Sequence, residues 1–257
     1  MGKTSRAVSP EDQGRGEIPP PDLSEGRVPG RPDHLLEVLE RLERVYRLGA
    51  SPPEDVRHEE PLDGLILTLL SQNTNDRNRD AAYEALRQAL PDWSRVAEAD
   101  LARVEALIRP AGLAPTKALR MKALLERIEG DFGVVSLRAL RERPTEEVRE
   151  YLSAFPGIGP KTVACVLLFD LGRPAFPVDT HVARLAARLG WALPREPRER
   201  LQVRLEAWVP PEKHLGGHLD LIAHGRAVCG ARKPRCGSCV LADLCPSRRE
   251  GEGGSKP

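Results

Sequence analysis

Apolar positions recur at helical spacing along most of this 257-residue chain. Leu35, Leu36, Leu39, Leu42, Val45 and Tyr46 mark a first amphipathic helix, which Asp33 is placed to cap and Ser51-Pro52-Pro53 to end. Residues 62–70 are almost wholly apolar, the pattern of a central buried helix and not a surface one. That run gives way to Ser71-Gln72-Asn73-Thr74-Asn75-Asp76, a block of hydrogen-bonding side chains that either caps the helix or floors a polar pocket. Further amphipathic helices are predicted over 81–90, 101–108, 117–128 and 144–154, with Arg109-Pro110-Ala111-Gly112-Leu113-Ala114-Pro115 breaking the series. An apolar helix over 163–171 follows, then Val182, Leu185, Ala186 and Leu189 at helical spacing, then 201–208 and 215–227. Alternating β patterns are almost absent; Val134-Val135 is too short to build a sheet. The chain is predicted to be all-α, with roughly ten helices joined by short loops.

One junction between helices carries unusual chemistry. Phe155-Pro156-Gly157-Ile158-Gly159-Pro160 turns the chain, and Lys161 opens the next helix. Glycines admit backbone geometry that a Cβ resists, and successive N–H groups in such a turn, backed by a helix N-terminus, form an anion site suited to a nucleic-acid phosphate. A tight helix-turn-helix corner explains Gly157 and Gly159 equally well on their own. Pro177-Val178-Asp179-Thr180-His181 comes next, with Asp179 placed both to cap a helix and to hold a fixed carboxylate; His181 reads as structural.

The net charge of +1 excludes a polycation, but the charge is uneven. Residues 1–60 carry 9 Lys+Arg against 13 Asp+Glu, whereas 224–249 carry 6 Lys+Arg against Asp243 alone. A local basic patch suits phosphate contact better than bulk charge does. No apolar run reaches membrane-spanning length and no charged-then-apolar leader opens the chain, so a soluble, cytoplasmic protein without membrane contact is expected. Residues 1–30, rich in Gly, Pro, Ser and charge, and 247–257 are expected to be disordered tails.

Of the five cysteines, Cys165 sits alone in an apolar helix as a small hydrophobe. Cys229, Cys236, Cys239 and Cys245 fall within 17 residues, spaced x6, x2, x5. Such density in an intracellular chain points to metal, not disulfides. Zinc usually takes two Cys-x2-Cys pairs, and only one is present; a [4Fe–4S] cube, with four separated corners, fits a winding loop better.

Together the glycine turn with Lys161, Asp179 in Val-Asp-Thr-His 18 positions later, and the x6, x2, x5 loop resemble the endonuclease III family of DNA glycosylases with associated lyase activity, in the helix-hairpin-helix superfamily. The likeness covers about residues 33–246. It implies two helical domains flanking a DNA-binding cleft: a six-helix barrel over 61–170, and a cluster domain built from 31–60 plus 171–246. It also implies a [4Fe–4S] cofactor on Cys229, Cys236, Cys239 and Cys245. The expected partner is double-stranded DNA carrying damaged bases or abasic sites, met by a nucleoid-associated monomer. The family's well-known bacterial members have Gln-Ala-Thr-Asp where Gln72-Asn73-Thr74-Asn75-Asp76 stands here, and the loop at Gly112-Leu113-Ala114-Pro115 lacks an aromatic. The reaction type therefore carries over more directly than the range of bases, for which oxidised pyrimidines are the expectation.

In that chemistry a nucleotide is flipped into a pocket before attack. Gly157, Ile158, Gly159 and Thr162 would meet a phosphate, Leu113 would wedge into the vacated stack, and Gln72, Asn73 and Asp76 would bond the base. Lys161 would attack the sugar, since a helix N-terminus and partial desolvation favour a neutral amine. Asp179 would stabilise charge and move the proton, and Arg232, Lys233 and Arg235 would contact DNA. A mismatch-specific monofunctional glycosylase would need a glutamate near Thr68, where none stands; a non-catalytic DNA-binding module is disfavoured by the presence of both Lys161 and Asp179, though a phosphate-binding lysine and a capping aspartate would serve it too.

Overall fold

The computed structural model describes residues 30–48 and 58–248. The two terminal tails at 1–29 and 249–257, and Ser51-Pro52-Pro53, lie outside the described residues. Helix α1, Leu35–Tyr46, buries Leu35, Val38, Leu39 and Leu42 on one face. Its N-cap is His34 and not Asp33, with no side-chain cap bond; the His34 ring instead accepts from Trp191 Nε1 at 3.2 Å. Helix α2, Pro61–Ser71, begins with proline at a position where the missing N–H costs nothing, and Glu60 caps it by accepting from Leu62 N–H at 3.1 Å. Leu62, Leu65 and Ile66 are fully buried, each burial stabilising the fold by roughly 2 kcal/mol.

Asn75, from the polar block, caps α3, Asp76–Ala89, by accepting from Asn78 N–H at 2.9 Å. Asp92 likewise caps α4, Trp93–Glu98, a short helix that the periodicity did not reveal. After α5, Leu101–Ile108, a 3-10 turn at Arg109–Ala111 leads into α6, Ala114–Phe132. Thus Ala114 and Pro115 are not loop but the first turn of a helix, where proline is tolerated. Helix α7, Thr145–Ser153, precedes the glycine turn. Helix α8, Pro160–Cys165, runs on as a π-helical turn, Val166–Asp170. Helices α9, Thr180–Arg188, α10, Arg198–Trp208, and α11, His214–Ala227, complete the set.

The fold is all-α, with eleven α-helices and no strand among the described residues; Val134-Val135 lies in a bend. Side chains from α2 to α8 gather in one hydrophobic cluster around Leu65, Leu69, Met121 and Leu167. A second cluster joins α1 to α9, α10 and α11 around Leu35, Phe176, Trp191 and Leu221, with Cys229, Cys239 and Cys245 packed against it. Polar ties cross between the two sets: Gln202 Nε2 donates to Pro160 O at 3.2 Å, and Arg149 pairs with Glu206 at 3.1 Å. No described helix is long and apolar enough to cross a membrane.

Candidate active site

A cleft of about 1130 Å³ is lined from both sets of helices, by Gln72, Asn73 and Asp76 from the α2–α3 junction, Lys161 from α8, Asp179 from the start of α9 and His218 from α11. A second cavity of about 370 Å³, beside Leu39, Arg173 and Asp220, contains none of the motif residues.

Local hydrogen bonding shapes the hairpin. Ile158 N–H donates to Phe155 O at 3.1 Å, Gly157 adopts φ +83°, and Gly159 is the N-cap of α8. A φ in that range favours glycine strongly, so Gly157 is required by geometry. The N–H groups of Gly157 and Gly159 have no partner among the described residues, which leaves an anion-receptive turn. The Ile158 and Thr162 side chains are buried, and Thr162 also borders the cleft. Gln72 Nε2 donates to Gly157 O at 3.0 Å, so Gln72 fastens the hairpin to the end of α2 as well as lining the cleft.

Lys161 is half-buried near Cys165, whose thiol is pushed up by burial while the Lys161 charge pulls it the other way. Asp179 caps α9, accepting from Val182 N–H at 2.8 Å, which fixes the carboxylate at the cleft wall. His218 lies beneath the pair, with Nδ1 2.9 Å from Pro177 O; burial pushes it down to about 4, so the ring is neutral at physiological pH.

Asn73 takes φ +56°, which asparagine tolerates better than most residues, and Asp76 pairs with Arg226 at 2.9 Å across the cleft. The run over 163–171 is less uniformly apolar than its pattern implied, because Asp170 stands in it. Its carboxylate is buried, bonds His58 Nδ1 at 2.6 Å and rests against α2, where a Cβ on Gly64 would collide with it. Burial raises the Asp170 pKa while the His58 bond opposes the shift. His58, Gly64 and Asp170 all line the cleft. A charged residue in an apolar run, and a glycine inside an apolar helix, were the available signals.

Leu113 is 58% exposed at φ +49°, a conformation costing a non-glycine residue about 1 kcal/mol, and projects at the head of α6. Lys117 is sealed beneath it: Nζ donates to Leu70 O at 2.6 Å and Ala111 O at 2.9 Å, and burial lowers its pKa. Its role is to tie the Leu113 turn to the end of α2.

Cys229, Cys236, Cys239 and Cys245 are free, partly buried, and line one cavity. Four thiols lining one cavity give the donor set that a cube with a metal at each corner takes. Arg188 Nη1 donates to Cys229 Sγ at 3.0 Å, and Leu241 N–H to Cys239 Sγ at 3.4 Å, the sulfur-directed bonds that a thiolate-held cluster uses. Arg232 and Lys233 are exposed on this loop, whereas Arg235 folds back onto Ala227 O.

Comparison with known proteins agrees with this layout. A family model described as HhH-GPD superfamily base excision DNA repair protein matches residues 66–211, and one described as the iron-sulfur binding domain of endonuclease III matches residues 229–245. A candidate DNA glycosylase of Arabidopsis thaliana is 40% identical over 179 residues, which span 70% of this chain and 61% of that protein. Endonuclease III of Synechocystis is 34% identical over 223 residues, 86% of this chain and 95% of that protein. Two solved endonuclease III–DNA structures superpose at 27% identity. A non-covalent complex has a TM-score of 0.71, covering 83% of this chain and 94% of that one. A trapped covalent intermediate has a TM-score of 0.69, covering 82% and 95%. The cofactor is accordingly a [4Fe–4S] cluster. On its hairpin, its cysteine loop and these likenesses, the chain belongs to the HhH-GPD superfamily of base excision DNA repair proteins, and within it to the endonuclease III family.

Proposed function

We infer that this protein is a DNA glycosylase with associated AP lyase activity, working in base excision repair on damaged duplex DNA. The observation that carries the reading is Lys161 and Asp179 on facing helix starts in one cleft, beside a turn whose Gly157 and Gly159 N–H groups are unpaired. The two hydrophobic clusters support a two-domain arrangement flanking that cleft. Gly157 and Gly159 hold a phosphate near the lesion, and Leu113 enters the gap that the extruded nucleotide leaves. Asn73 and Asp76, with Gln72 behind them, bond the flipped base. Lys161 Nζ attacks C1′ with its lone pair, and the bond to the base breaks with its electrons on the base. The amine then sheds a proton, and the C1′–O4′ bond breaks with its electrons on O4′, which takes up that proton as the sugar ring opens to the protonated Schiff base. Loss of a C2′ proton next expels the 3′ phosphate by β-elimination. Asp179, anchored by its cap bond, stabilises the charge on the sugar and carries the proton.

Cys229, Cys236, Cys239 and Cys245 would hold the cluster, which orders the loop and presents Arg232 and Lys233 to phosphates. The substrate class proposed is oxidised or ring-saturated pyrimidine, in a pocket modified by Asn73 and the buried Asp170. Borohydride trapping on a duplex with an abasic site tests the lyase. A covalent adduct is expected, and its absence sinks the Schiff-base route. Base release measured on oxidised pyrimidine, oxidised purine and abasic duplexes tests the glycosylase; cleavage at abasic sites alone would remove it.

A further inference from the structure

Arg120 is exposed on α6, and its guanidinium is laid directly over the hairpin: a Cβ on Gly157 would lie 2.9 Å from Arg120 Nη1 and 3.2 Å from Cδ. Gly157 is thus needed twice, for its φ of +83° and for the bare face on which the arginine rests. Seven residues, two helical turns, separate Arg120 from Leu113. Arg120 thus follows the exposed leucine that caps α6 and lies against the glycine turn. It makes no ion pair or hydrogen bond with any described residue. A planar cation with five donors is held beside unpaired Gly157 and Gly159 N–H groups, without a counter-charge from the protein. Grouping positive potential in this way gains nothing for folding; an arriving anion relieves it. Arg127, two turns further along, is different. It pairs with Asp131 at 3.4 Å and lies 5.1 Å from the Phe155 ring centroid.

We propose that Arg120 is a phosphate-binding residue, taking a DNA backbone phosphate next to the one met by the hairpin N–H groups and so locking the position of Leu113 relative to the hairpin. The inference rests on the DNA glycosylase reading above. The test uses the full chain with its cluster and a duplex carrying a tetrahydrofuran abasic analogue, which cannot form a Schiff base. Fluorescence anisotropy gives affinity from about 50 to about 200 mM KCl. Arg120→Gln is expected to weaken binding several-fold at low salt and to flatten the plot of log K against log salt by about 0.9, the share of one phosphate contact. Arg120→Lys should restore the slope, and Arg127→Gln should match wild type. An unchanged slope in Arg120→Gln would overturn the proposal. So would weaker binding at unchanged slope that lysine does not rescue, since Arg120 would then only pack on Gly157. Wild-type protein that binds no duplex would instead sink the DNA reading, and this inference with it.

Discussion

Substitution can separate the observed capping role of Asp179 from the catalytic role proposed for it. Its Oδ1 accepts from Val182 N–H at 2.8 Å, so it is the N-cap of α9, and it lines the same cleft as Lys161. Asn is about as good a cap as Asp, so Asp179→Asn keeps that bond and loses only the attraction of a negative charge to the helix start, roughly 0.5 kcal/mol. Asp179→Ala loses the bond itself, on the order of 1 kcal/mol, which lowers Tm by about 2–4 °C in a domain of this size. Neither change approaches unfolding. If the carboxylate stabilises the sugar and moves the proton, both variants should lose about 10²-fold or more in single-turnover base release, equivalent to about 2.7 kcal/mol of barrier. The assay pairs single-turnover kinetics at saturating enzyme with thermal melts followed by circular dichroism. Catalysis and stability should then move independently: Asn slow but stable, Ala slow and slightly less stable. An Asp179→Asn protein with wild-type turnover would reduce Asp179 to a cap and refute the mechanism.

Lys161→Gln is expected to bind lesion DNA while giving no borohydride adduct and no cleavage. Lys117 cannot substitute because its amine is sealed against Leu70 O and Ala111 O, so residual trapping would indicate a different nucleophile. Protein prepared without oxygen should be coloured and contain iron, and Cys236→Ser should lower soluble yield more than the activity of the fraction that folds; metal analysis returning one zinc and no iron would refute the cluster assignment. Neutralising Arg232 and Lys233 together should weaken binding to all duplexes and flatten the salt dependence by about two units of slope, with Arg235→Gln contributing less because its side chain already serves Ala227 O. His218, pushed down to about 4 by burial with Asp179 and Lys161 nearby, stays neutral when folded but takes a proton near pH 6.5 when unfolded. Its contribution is therefore full above about pH 6.5 and lost as pH falls toward 4, about 2 kcal/mol of it by pH 5. Denaturant midpoints at neutral and acid pH should show this slope in wild type and a shallower one in His218→Gln; parallel curves would contradict it.

Much of the site was legible because its motifs are local. Gly157, Gly159 and Lys161 are near neighbours in the chain, and so are the four cysteines, so their spacing already limits what they can build. Helices were legible for the same reason, since an apolar stripe at period 3.6 depends only on the residues within the helix. Errors fell where a local pattern has two solutions. Asp33 and His34 both stood where a cap could be, and the contact with Trp191 accompanies the choice of His34. The burial of the Ile158 and Thr162 side chains, by contrast, is set by the direction of the turn, which the hairpin motif does not state.

Sequence alone determined the helical class and the metal loop, and it set Lys161 and Asp179 in motifs 18 positions apart. Tertiary structure alone decided which side chains share a surface. It set Asp170 against Gly64 and His58, enclosed Lys117, and laid Arg120 over Gly157. It also joined α1 to helices more than a hundred residues later. The physical reason is that periodicity records which face of a helix is apolar, while its partner is chosen by shape and burial summed over distant segments, and no short window of the chain contains that sum.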